Sequence, residues 1–166
     1  MRRSRLCVLG LPLLFAIGCS DDPGTVRADA PAPPAGRAED ACRALGGALP
    51  GTVMDGARRD VRPKSEWTAA WGDPAIVLRC GVGLPASMRV VDPEKAGSEP
   101  MDSVEVNGVT WAFAKYADGV RFTTVYREAN VEVSVPKKFA EPAAPLVDVA
   151  DAVTRTVPAT LDLTEE

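Results

Sequence analysis

The stretch VEVNGVTWAF, residues 104–113, constrains the fold more than any other. Asn107 and Gly108 can both take positive φ, as a two-residue type I′ turn requires, and alternating apolar residues flank them. The spacing predicts a hairpin with Val106 facing Val109 and Val104 facing Trp111. Asp118 and Gly119 offer a second tight turn, which would pair Lys115 with Phe122, Phe113 with Thr124 and Trp111 with Tyr126. Trp111, Phe113, Phe122 and Tyr126 would then share a face. Residues 131–135, VEVSV, alternate again, with Pro136 ending the ladder. Residues 74–81, PAIVLRCG, form a continuous apolar run between turn residues and read as a buried strand.

Helical spacing occurs in three places. In AEDACRALGGALP, residues 38–50, Glu39 and Asp40 suit a positive N-terminus, Cys42, Leu45 and Leu49 share a face, and Pro50 marks the end. SEWTAAWG, residues 65–72, reads as a short helix capped by Ser65, with Trp67 and Trp71 on one side and Gly72 as terminator. In PLVDVADAVTRTVP, residues 145–158, Leu146, Val149, Val153 and Val157 repeat along one face. Residues 92–100 are charged and turn-rich and read as a solvent loop. The fold class expected is α+β, an antiparallel β-meander of about four to five strands packed with an N-terminal and a C-terminal helix.

The N-terminus carries an address. Arg2, Arg3 and Arg5 precede an apolar run from Leu6 to Ile17, the pattern of an export signal. That run reaches only about 18 Å as a helix, short of a membrane span. AIGC, residues 16–19, resembles the lipobox of bacterial lipoproteins, which implies cleavage before Cys19 and acylation of its sulfur. Two acyl chains give durable attachment. The organisation expected is a signal peptide over 1–18, lipidated Cys19 with a flexible linker over 19–37, one globular domain over 38–158 and a tail over 159–166. The linker, rich in Pro, Ala and Gly, could hold the domain about 50 Å from the lipid if fully extended.

Of four cysteines, Cys7 falls in the leader and Cys19 at the acylation site, leaving Cys42 and Cys80. In an oxidising compartment these read as one disulfide; a redox-active pair is the alternative, although CxxC spacing is lacking. The chain has 23 acidic and 19 basic residues, and the leader takes three arginines with it. An acidic chain disfavours nucleic acid as partner. It also disfavours anionic phospholipid, so the membrane contact expected is the lipid anchor alone.

CRALGGALP (residues 42–50), GARRDVRP (56–63) and AWGDPAIVLRCG (70–81) resemble an uncharacterised family of actinobacterial exported proteins and lipoproteins, a domain of unknown function. The likeness spans most of residues 40–158. It implies an envelope location and one compact domain, and it brings no activity, ligand or catalytic residue.

The chain contains no histidine, which removes Ser-His-Asp and Cys-His arrangements and the usual His-bearing zinc sites. It has no Walker loop, dinucleotide fingerprint or EF-hand loop, and no spacing singles out a glycosidase-type carboxylate pair. No catalytic residue, metal ligand or cofactor is expected. Arg58, Arg59 and Arg62 concentrate charge that could receive an anion through bidentate hydrogen bonds, or could pair with the domain's own acids. Trp67 and Trp71 would make a sugar-stacking platform if exposed and core if buried. The function expected is therefore a noncatalytic, lipid-anchored module on the extracytoplasmic face of the cell membrane that meets an envelope protein partner. A small-molecule or glycan binding lipoprotein using Arg58, Arg59, Trp67 and Trp71 comes second, and a histidine-free enzyme third.

Overall fold

The computed structural model describes residues 24–84 and 102–160. The signal peptide expected at 1–18, Cys19, the loop expected at 92–100 and most of the tail expected at 159–166 lie outside the described residues. The elements are β1 (Thr25–Arg27), α1 (Arg37–Ala48), β2 (Thr52–Val53), β3 (Gly56–Arg62), β4 (Thr68–Trp71), β5 (Ile76–Cys80), β6 (Ser103–Val106), β7 (Val109–Lys115), β8 (Gly119–Thr124), β9 (Val131–Pro136) and α2 (Ala144–Thr156).

The expected α+β meander of four to five strands is overturned. Among the described residues nine strands form one mixed sheet, ordered β1-β3-β4-β5-β9-β8-β7-β6 with β2 paired to β3, and the protein is mostly sheet with two helices. The meander from β6 to β9 is one part of that sheet, and β5 joins it by pairing antiparallel with β9, Leu78 opposite Val133. The strands missing from the sequence reading lie at the other end. β1 runs parallel to β3, with Thr25 opposite Asp60 and Arg27 opposite Arg62, and it falls inside the stretch read as linker. A three-residue parallel strand takes its partner from some 35 residues away and leaves no local signal.

Residues 68–71 are β4, where a helix was expected. A spacing of four puts Trp67 and Trp71 on one side in either conformation. All four β4 residues are buried between β3 and β5, so the alternation that marks a strand is erased. Ser65 caps no helix; its Oγ accepts the Trp67 N–H at 3.1 Å in the loop before β4.

The Asn107–Gly108 hairpin has the expected register, Val106 opposite Val109 and Val104 opposite Trp111. The next turn is shifted by one residue, and the pairing it sets by two. Tyr116 and Gly119 exchange backbone hydrogen bonds (2.8 and 3.3 Å), so Ala117 and Asp118 form the loop. Lys115 therefore pairs with Val120, Phe113 with Phe122 and Trp111 with Thr124. A slip of two preserves the faces, and Phe113 meets Phe122 with ring centroids 5.7 Å apart. Tyr126 falls beyond β8 at positive φ and is exposed.

One face of the sheet is the core. Trp71, Ile76, Leu78, Trp111, Phe122 and Val133 pack with Leu45 of α1 and with Leu146, Val149 and Val153 of α2. α1 ends two residues before Pro50, close to the expected boundary, and α2 has Pro145 in its first turn. The expected disulfide is present: Cys42 on α1 bonds Cys80 at the end of β5, with Cα atoms 5.5 Å apart.

Candidate functional site

The site begins with a break in the β3–β4 ladder. Gly56 and Gly72 lie against each other, close enough that a Cβ on Gly56 would come within 2.8 Å of the Gly72 Cα. From there β3 and β4 pair at Arg58↔Trp71 and Arg59↔Ala70 and no further. The same register continued would set Val61 opposite Thr68. Instead both residues line a cleft of about 850 Å³, together with Lys64 and Ser65 from the loop between the strands.

Four cations surround this cleft: Arg58, Arg59, Arg62 and Lys64. β3 is an alternating strand, so its consecutive arginines meet different surroundings. Arg58 lies on the indole of Trp71, its Cζ 5.3 Å from the ring centroid, and desolvation holds its pKa below the ordinary arginine value. Arg59 is fixed by carbonyls: Nη1 donates to Gly72 O at 2.9 Å and Nε to Gly24 O at 3.3 Å, with Asp73 Oδ1 4.0 Å away. Arg62 and Lys64, also in the lining, are exposed. Asp60 is the acid of the lining, and the buried Thr68 hydroxyl has no hydrogen-bond partner. A second hollow of about 440 Å³, lined by Arg27, Asp29 and Arg62, shares Arg62 and Pro63 with the first.

The structure thus separates the residues singled out by sequence. Arg58 and Arg59 line the cleft, Arg58 against an indole face and Arg59 hydrogen-bonded to two carbonyls. Trp67 and Trp71 are core, 7% and 0% exposed, and offer no open stacking face. Trp71 Nε1 donates to Pro50 O at 3.0 Å, and the Arg43 guanidinium sits 5.7 Å from the Trp67 ring centroid. Ser65 and Thr68 escape a sequence reading because residues 65–72 have helical spacing; for Lys64 the basic run continuing past Pro63 is the available signal. Cys19 lies outside the described residues.

Guanidinium groups around a cleft can hold a phosphate or carboxylate in paired hydrogen bonds, with Lys64 adding a point charge. The side chains that line it include no thiol and no amine other than Lys64. Among the described residues no three His, Cys, Asp or Glu side chains gather as a metal site, and no helix is long and apolar enough to cross a membrane.

A disulfide-tied, mostly β domain with a basic cleft in its sheet is the class that fold and site define. The chain belongs to the family DUF3515, described as a protein of unknown function, which it matches over residues 6–161. No curated protein and no solved structure matches it.

Proposed function

We propose that this is a noncatalytic, lipid-anchored extracytoplasmic protein, of the actinobacterial lipoprotein kind that AWGDPAIVLRCG resembles, and that it works by holding an anionic ligand in the β3–β4 cleft. The observation that carries the binding half is the cleft itself: about 850 Å³ with four cationic side chains and one carboxylate in its lining. The lipid anchor rests on the lipobox-like AIGC, which ends at Cys19. The noncatalytic reading rests on a histidine-free chain whose Cys42 and Cys80 are bridged. The buried tryptophans favour an anion over a stacked sugar as ligand.

The test is calorimetric titration of the mature chain, carrying Cys19→Ser, with inorganic pyrophosphate and with glycerol phosphate. Saturable binding that disappears in Arg58→Ala/Arg62→Ala is expected. Heat that is absent, or unchanged in the variant, removes the cleft as a binding site.

A further inference from the structure

The strands that part at the cleft leave a matched set of main-chain groups between them. Along a strand, the N–H and C=O of successive residues point to alternate sides. In β3, Arg62 O accepts the Ala28 N–H and the Arg58 N–H donates to Gly51 O, both away from β4, whereas Ala57 O accepts the Gly72 N–H at the end of β4. Val61, two residues beyond Arg59 in the same alternation, therefore turns its N–H and C=O toward β4. The register Arg58↔Trp71, Arg59↔Ala70 leads on to Thr68 as its partner. Thr68 has the matching parity, because Trp67 O accepts the Cys80 N–H on the β5 side. Val61 and Thr68 are thus the next two residues that would exchange hydrogen bonds, and they do not pair; both line the cleft. The Thr68 hydroxyl is also buried without a hydrogen-bond partner, in a residue 8% exposed.

Charge admits an anion here without choosing which. Arg27, Arg58, Arg59, Arg62 and Lys64 are met by Asp29, Asp60 and Asp73, and Arg59 is already held by carbonyls. Hydrogen-bond polarity is more selective. An inorganic anion only accepts, so it serves the two N–H groups and leaves the Val61 and Thr68 carbonyls unmatched. An extended peptide offers donors and acceptors on both sides. Laid antiparallel to one strand, its central residue exchanges two bonds with that wall, and the residues before and after it bond the other wall in the parallel manner. Three residues, about 10 Å of strand, satisfy all four groups. A cleft of about 850 Å³ has room for them.

We infer that the β3–β4 cleft takes the carboxyl-terminal residues of an extended peptide, which join the sheet as a strand between Val61 and Thr68. The inference rests on the anion-binding reading above and names the ligand of that site: the terminal carboxylate is the anion, and Arg62 and Lys64, exposed in the same lining, are the groups that take it. It also gives a reason for a ladder that stops inside a sheet, since strand addition supplies the partners that buried main-chain groups need.

The experiment is amide hydrogen exchange, read by NMR on the mature chain with Cys19→Ser, alone and with acetyl-Thr-Val-Thr bearing a free carboxylate. In the free protein the Val61 and Thr68 amides should exchange fast. Saturating peptide should slow both by more than about tenfold while the β9 amides keep their rates. The same peptide N-methylated at its valine lacks one of the two donors and should bind about tenfold more weakly. Val61 and Thr68 amides already protected in the free protein overturn the inference, because the ladder is then closed. Equal binding of the N-methylated peptide overturns it as well, as does an absence of binding by the unmethylated one. A free short peptide and the tail of a protein share this chemistry: equal binding of a ten-residue peptide with the same three final residues supports a protein tail as the source, and its exclusion supports a short peptide. Pyrophosphate bound through Arg58 and Arg62 without peptide binding leaves the anion site standing and removes the peptide. Failure of both probes removes both.

Discussion

Arg79 and Glu132 stand opposite each other across β5 and β9, and the guanidinium donates through both Nε (3.1 Å) and Nη2 (2.6 Å) to the same carboxylate oxygen. Ser134 adds a third hydrogen bond to that oxygen at 3.2 Å. The pair sits on the sheet face opposite the helices, with Glu132 6% exposed. Removing one partner leaves a largely buried charge alone, which costs more than an exposed ion pair is worth. Arg79 is about a quarter exposed, which moderates the effect. Glu132→Ala should destabilise the fold by about 2–3 kcal/mol in urea unfolding, and Arg79→Ala/Glu132→Ala by less than the sum of the single changes. A loss under about 1 kcal/mol would mean the pair is solvated in solution.

The Cys42–Cys80 bridge closes a 38-residue separation and ties α1 to the sheet. In the chain-entropy account a loop of this size contributes about 4 kcal/mol, and the enthalpic share is disputed. Cys42→Ala/Cys80→Ala should therefore unfold at clearly lower urea, with an unfolding curve indifferent to reductant, while the parent's midpoint falls on reduction. A parent equally stable with and without reductant contradicts a stapling role.

Two glycines should respond oppositely to the same substitution. Gly56→Ala drives its Cβ into the Gly72 backbone and to 3.1 Å from Val53 O, at the point where β3 and β4 meet. A loss of about 1–3 kcal/mol is expected from that overlap. Gly47 lies in α1, where an added methyl would meet nothing within 4 Å, so Gly47→Ala gains helix propensity, about 0.5–1 kcal/mol. Thermal melts of the two variants would show shifts of opposite sign; equal shifts would contradict this packing.

Legibility in the sequence follows the range of the forces involved. Asn107–Gly108 and the alternation of β6, β7 and β9 are readable because turn chemistry and strand period act between neighbours. The two-residue slip at Asp118–Gly119 shows the limit: several adjacent residues can make the turn, and only the paired strands select Ala117–Asp118. β3 is hidden because its charged residues fall on both faces, and β4 because burial on both sides removes alternation. Of the site, the cluster Arg58, Arg59 and Arg62 is visible as charge. That it borders a gap in a sheet is not, since a ladder that stops at Arg59↔Ala70 is a tertiary outcome.

The three tryptophans give the fold and the cleft a common optical test. Trp67, Trp71 and Trp111 are 7%, 0% and 0% exposed, so acrylamide should quench the native protein far less than the urea-unfolded chain. The expectation separates this sheet from the alternative in which a surface helix presents two indoles to sugars and quenching is strong. The Trp71 ring also carries the Arg58 guanidinium 5.3 Å from its centroid. An anion that draws Arg58 toward the cleft changes the field on that ring, so pyrophosphate should alter the emission of the parent protein and leave that of Arg58→Ala unchanged. A neutral oligosaccharide should affect neither. Strong quenching of the native state would contradict the burial of all three rings, and an emission change that persists without Arg58 would move the anion elsewhere on the protein.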